Sequence, residues 1–184
     1  MLRRTVSTVN SSLEIQSFDP ATWLNEYVQP VFPVSDEVFD QILKFSLIWN
    51  LFEGRACNRN ASWKTIQRSV DCALAAGMIC TNNFEAHIDF FRNRAKAHHD
   101  SINGYIAALK TNQPRMDALL RDLLIETHMS ASHEITALLL IAYRVRSNLF
   151  HGEKEVAYLH TQSELFKAVN SMLATYLSLT TCAT

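Results

Sequence analysis

Residues 132–152 read Ser-His-Glu-Ile-Thr-Ala-Leu-Leu-Leu-Ile-Ala-Tyr-Arg-Val-Arg-Ser-Asn-Leu-Phe-His-Gly. From Ile135 to Ile141 this stretch is apolar on nearly every side of a helix, with Thr136 its one polar residue. A helix of that kind belongs at the centre of a bundle. The apolar run through Tyr143 is too short to span a bilayer. Ser132 is its expected cap.

The flanking sequence repeats the helical period. Pro114 sits near the start of a helix carrying Met116, Leu119, Leu120, Leu123 and Leu124. Thr81-Asn82-Asn83 opens another, with Phe84, Ile88, Phe91 and Ala95 inward. Gly104 is expected to interrupt it before a short continuation through Tyr105, Ile106 and Leu109. Trp63, Ile66, Val70 and Leu74 share one face of a helix that Gly77 stops. Ser35-Asp36-Glu37 caps a helix with Val38, Ile42, Phe45, Trp49 and Phe52 recurring up to Gly54. Thr161 and Glu164 have capping-box spacing and open the last helix. No segment alternates in the manner of a strand and no long repeat is visible. The expected class is all-α, a helical bundle over residues 35–184. Residues 1–34, holding Pro20, Pro30 and Pro33, read as a loosely structured arm with one short helix started by Asp19 and Pro20.

Composition narrows the function. The 184 residues are 48% apolar and 19% charged, enough for a sizeable core and inconsistent with disorder. Seventeen Lys and Arg against eighteen Asp and Glu leave a net charge of −1, so bulk electrostatics do not argue for nucleic acid. With four Gly, the chain has neither GxGxxG nor GxxxxGK[ST]. Its four Cys form no CxxC and read as reduced thiols of a cytoplasmic protein. Met1 to Ser12 resembles a transit peptide only faintly and has no secretory apolar core. No Glu-x-x-His and no His-Glu-x-x-His occurs, so neither a metal nor another cofactor is expected.

Chemistry concentrates where the most apolar helix ends. Arg144, Arg146, Ser147, Asn148, His151 and Gly152 fall within nine residues. Bringing Arg146 to the edge of a core helix costs desolvation unless an anion or a carboxylate meets it. One reading pairs Arg146 with an internal Glu such as Glu53 and leaves His151 as a helix-end cation. The other makes the cluster a phosphate site. An Arg followed by four to six residues and a His occurs six times here, so spacing alone does not decide. A second basic run, Arg92-Asn93-Arg94-Ala95-Lys96-Ala97-His98-His99, is either a solvated face or a patch that tracks phosphates.

The surroundings of Arg146 are more specific. Arg146-Ser147-Asn148-Leu149-Phe150-His151-Gly152 resembles the R-x4-6-H signature of the HEPN superfamily, in the form found in bacterial defence and toxin-like proteins of the Apea-like kind. Phe45-Ser46-Leu47-Ile48-Trp49-Asn50-Leu51-Phe52-Glu53 resembles the Trp-Asn-x-x-Glu helix that often accompanies it. Ser147 departs from the Asn, Asp or His usual after the Arg. The resemblance implies a four-helix bundle with additional short helices and a metal-independent endoribonuclease acting as a homodimer with a shared cleft. It implies Arg146, His151, Asn148 and Glu53 as catalytic residues, with Arg144, Ser147, Arg92, Arg94 and Lys96 as RNA contacts. Partners would be RNA and an antitoxin or defence protein, with no membrane. The alternative is a non-catalytic HEPN module that binds RNA or dimerises within such a complex.

Overall fold

The computed structural model describes residues 19–29, 32–97, 101–125, 128–150 and 156–181. Among them the fold is all-α: α1 (Pro20–Val28), α2 (Asp36–Ala56), α3 (Trp63–Ala75), α4 (Glu85–Ala97), α5 (Ile102–Ala108), α6 (Pro114–Leu124), α7 (Ala131–Phe150) and α8 (Ser163–Thr181). Short 3₁₀ turns, Thr81–Phe84 and Val156–Gln162, lead into α4 and α8.

The helix ends obey the local chemistry of the chain. Asp19 accepts from the amides of Ala21 and Thr22, with Pro20 at the first helical position of α1. Ser35 caps α2 through the Val38 amide. Gly77, at φ +67°, ends α3 with its own amide on Leu74 O and the Met78 amide on Ala73 O, a paired closure that a left-handed residue permits. Three boundaries differ from expectation. Gly104 lies inside α5, because Ser101 caps that helix by accepting from the Gly104 amide. Ser130 caps α7 instead of Ser132, accepting from the His133 amide, while the Ser132 hydroxyl donates to Asp71 on α3. The last helix begins at Ser163, after a 3₁₀ turn that contains Thr161.

Residues 1–18 of the expected arm lie outside the described residues. Beyond them α1 is tied to the bundle: Asn25 accepts from the Val34 amide (2.9 Å) and donates to its carbonyl (3.0 Å). Val34 is itself buried.

The core sits around α7, where every residue from Ile135 to Ala142 is buried, Thr136 included. α7 packs on α3 and α6, and α2 packs along α8. α2 and α8 run the same way, since Glu37 meets Lys167 near their starts and Phe52 meets Tyr176 near their ends. Phe45 packs on Phe166, and Trp49 packs on Tyr143 of α7 (ring centroids 6.2 Å apart). Phe45 and Phe166, both fully buried, contribute about 1.5–3 kcal/mol each. Among the described residues no helix is long and apolar enough to cross a membrane.

Candidate functional site

The last turns of α7 carry the polar cluster, and helical geometry divides it between two faces. Arg144 and Asn148 are four residues apart and share one face; Arg146 and Phe150 share another.

The Arg144–Asn148 face is turned to α5. Arg144 Nε donates to Leu109 O (2.9 Å), and its Nη2 donates to Lys110 O. Asn148 Nδ2 donates to Ala108 O and Leu109 O, both at 3.3 Å. Arg144 also donates to Asn148 Oδ1 (3.2 Å) and to Ser147 Oγ (3.3 Å). The reason lies in α5. Its seven residues are too few to be stable alone, and its last carbonyls need donors. Lys110 and Asn112, both with positive φ, turn the chain there towards α6. Arg144 and Asn148, the latter 2% exposed, thus fasten the scaffold, with Ser147 Oγ accepting from Arg144.

Arg146 is different. Its guanidinium carbon lies 5.6 Å from the centroid of the Phe150 ring, a cation–π contact with an exposed aromatic. Among the described residues it has no carboxylate within ion-pair distance. The expected partner Glu53 is occupied elsewhere, accepting from Trp49 Nε1 (3.3 Å) and from the Ala61 amide (3.1 Å). That carboxylate organises the turn after α2 and does not hold Arg146. The link between the Trp-Asn helix and the motif helix is apolar, through Trp49 and Tyr143. His151 and Gly152 lie outside the described residues.

The basic run of α4 is not one patch. Arg92 donates to Leu123 O (3.0 Å) and pairs loosely with Glu134 (3.8 Å), joining α4 to the end of α6 and the start of α7. Arg94 donates to Gln162 Oε1 (3.2 Å), on the turn before α8. Both arginines are therefore engaged within the protein, and Lys96 is exposed. His98 and His99 lie outside the described residues. The sequence offered a solvated face or a phosphate-tracking patch for this run; it could not reveal that Arg92 reaches α6 and Arg94 the turn before α8.

Among the described residues no group of three or more His, Cys, Asp or Glu is placed to hold a metal ion. Comparisons with protein-family models, with curated proteins and with solved structures each find no match.

Proposed function

We propose that the chain is a metal-independent endoribonuclease of HEPN type, with Arg146 and His151 as its reacting groups. The observation that carries this reading is the state of Arg146: a guanidinium at the end of the most buried helix, beside an exposed aromatic ring and with no carboxylate partner among the described residues. A cation so placed is stabilised by an anion from outside, and a phosphodiester matches its planar fork.

The chemistry follows from the residue types. The ribose 2′-OH attacks the adjacent phosphorus and loses its proton; the bond from phosphorus to the 5′-oxygen breaks, and that oxygen gains a proton. The products are a 2′,3′-cyclic phosphate and a 5′-OH. Arg146 neutralises charge on the non-bridging oxygens as the phosphorane forms. His151, with an ordinary pKa near ~6.5, serves one proton transfer near neutrality. Its counterpart in a second copy serves the other. The proposed homodimer finds support in Leu43, Leu47 and Leu51, an exposed apolar row on α2 opposite the Phe45–Trp49–Phe52 face. Phe150, exposed beside Arg146, offers a ring on which a base stacks. A place in bacterial defence or toxin-like growth control, with an antitoxin or defence partner in the cytoplasm, belongs to the same proposal.

The second reading, a HEPN module that binds RNA without cutting it, gains from the engagement of Arg144, Asn148, Arg92 and Arg94 within the fold. It leaves fewer cations to grip a strained transition state. Incubation with total RNA in EDTA separates the two. New ends bearing 2′,3′-cyclic phosphate, lost by about a hundred- to ten-thousand-fold in His151→Ala, establish the nuclease. Intact RNA with wild type, together with RNA binding that Arg146→Ala abolishes, establishes the module.

A further inference from the structure

A cavity of about 680 Å³ opens between the end of α2, the length of α3 and the end of α8, and takes no lining residue from α7. Arg55 and Arg68 line it together with Asn58, Thr65, Ser69 and Thr180, over a floor that includes Ala73 and Met78. No acidic residue is among its lining. From these residues we infer a second ligand site, built for a small phosphate monoester that carries an apolar body.

Charge is the first reason. Arg55 and Arg68 are exposed, and among the described residues neither has a carboxylate within ion-pair reach. The acids nearest to them in sequence are committed: Glu53 to Trp49 and Ala61, and Asp71 to Ser132. The C-terminal ends of α2, α3 and α8 offset part of this charge, and the start of α3 adds to it, about half a charge each. About one positive charge is left on the two guanidiniums facing one cavity. A phosphate monoester answers it, and two planar forks match its oxygens.

Shape and polarity supply the body of the ligand. The volume lies within the range of about 300–1,000 Å³ that small-molecule pockets occupy. Apolar carbon from Ala56, Ala73 and Met78 covers part of the wall, so bare phosphate leaves most of the cavity unused. Ser69 is held by Tyr176, with their hydroxyl oxygens 2.7 Å apart, and this fixes one polar point in the wall. The site binds and does not react through sulfur at Cys57, whose thiol is buried and pushed up to about 11 by that burial.

The cavity carries its own reporter. Cys72 lines it and is exposed, whereas Cys80 is exposed outside its lining. Phenyl phosphate serves as the probe, with inorganic phosphate and phenol as its two halves. The expected result is slower maleimide labelling of Cys72 by phenyl phosphate, with Cys80 unchanged on peptide mapping. Calorimetry is expected to show phenyl phosphate binding about tenfold tighter than either half, and about tenfold weaker binding in Arg68→Gln and in Arg55→Gln. Both substitutions are at exposed positions, and circular dichroism checks that they fold. Three results overturn the inference: no binding up to about 10 mM, protection of both cysteines alike, or binding indifferent to both substitutions. Displacement of phenyl phosphate by single-stranded RNA, with RNA binding lost in Arg68→Gln, overturns it too, by making the cavity part of a backbone path. Arg146→Ala leaves all these readouts unchanged, so loss of the nuclease reading does not decide this one.

Discussion

Arg144 donates to the side-chain oxygen of Asn148 one turn later on α7, at 3.2 Å, and the two side chains together close the end of α5. Three backbone carbonyls in succession, at Ala108, Leu109 and Lys110, depend on that pair. Polar residues at the end of a core helix thus act as the fastening of a short helix that cannot hold itself.

Asn148→Ala is therefore expected to destabilise the protein by about 1–3 kcal/mol, the cost of leaving buried donors and acceptors unmet. Arg144→Lys should cost a similar amount, since an ammonium cannot bridge Leu109 O, Lys110 O and Asn148 Oδ1 as a guanidinium does. Urea titrations measure both. An Asn148→Ala protein as stable as wild type but inactive on RNA would return this residue to the reacting centre.

Arg146→Ala makes the opposite pattern. Among the described residues its side chain has a cation–π contact with Phe150 and no carboxylate within ion-pair distance, so stability should stay within about 0.5–1 kcal/mol of wild type. RNA cleavage should fall by at least about a hundred-fold, and Arg146→Lys should recover only part of it. Paired melts and single-turnover cleavage separate the two effects. A large loss of stability with unchanged specific activity would make Arg146 structural.

Much of this fold was legible because periodicity and capping are local. The Ile135–Ile141 run specified a central helix, Gly77 the stop of α3, and Asp19 and Ser35 the starts of α1 and α2. The misplacements have two causes, one distant in sequence and one local. Ser132 reads as a cap by type, but Asp71, distant in sequence, claims its hydroxyl, and Ser130 takes the cap. Gly104 reads as a breaker, yet Ser101 three residues earlier turns it into the first turn of α5. The same holds at the site. The sequence left open whether Arg146 pairs with Glu53 or meets an outside anion, and Arg144, Asn148, Arg92 and Glu53 looked equally functional. Their partners are backbone or indole groups that only tertiary packing brings near, and no spacing rule encodes them.

His87 gives the protein a pH-dependent stability that can be assigned. Burial holds its imidazole below the ordinary value, with Nε2 3.1 Å from Ser171 Oγ on α8. A base whose folded pKa is depressed is stabilising above its unfolded pKa, near ~6.5, and that stability is lost as pH falls, because the unfolded chain takes up the proton first. His87→Gln should flatten the fall in urea midpoint between about pH 7.5 and about pH 5.5 relative to wild type. An unchanged slope would assign the acid sensitivity to other groups.

The row of leucines on α2 makes the last prediction. Leu43, Leu47 and Leu51 are 54%, 62% and 48% exposed, at four-residue spacing on the side of α2 away from Phe45, Trp49 and Phe52. A second copy that covers them gains about 25 cal/mol for each Å² of apolar surface removed from water. On the proposed function, that copy would also supply the second His151. Leu47→Lys places a charge in the middle of that row while touching no core contact. The melt should stay within about 0.5 kcal/mol of wild type. Sedimentation should change from dimer to monomer, and cleavage should be lost with it. Wild type that sediments as a monomer while still cutting RNA would remove the shared cleft, and His151 would then need its acid or base partner within the same chain.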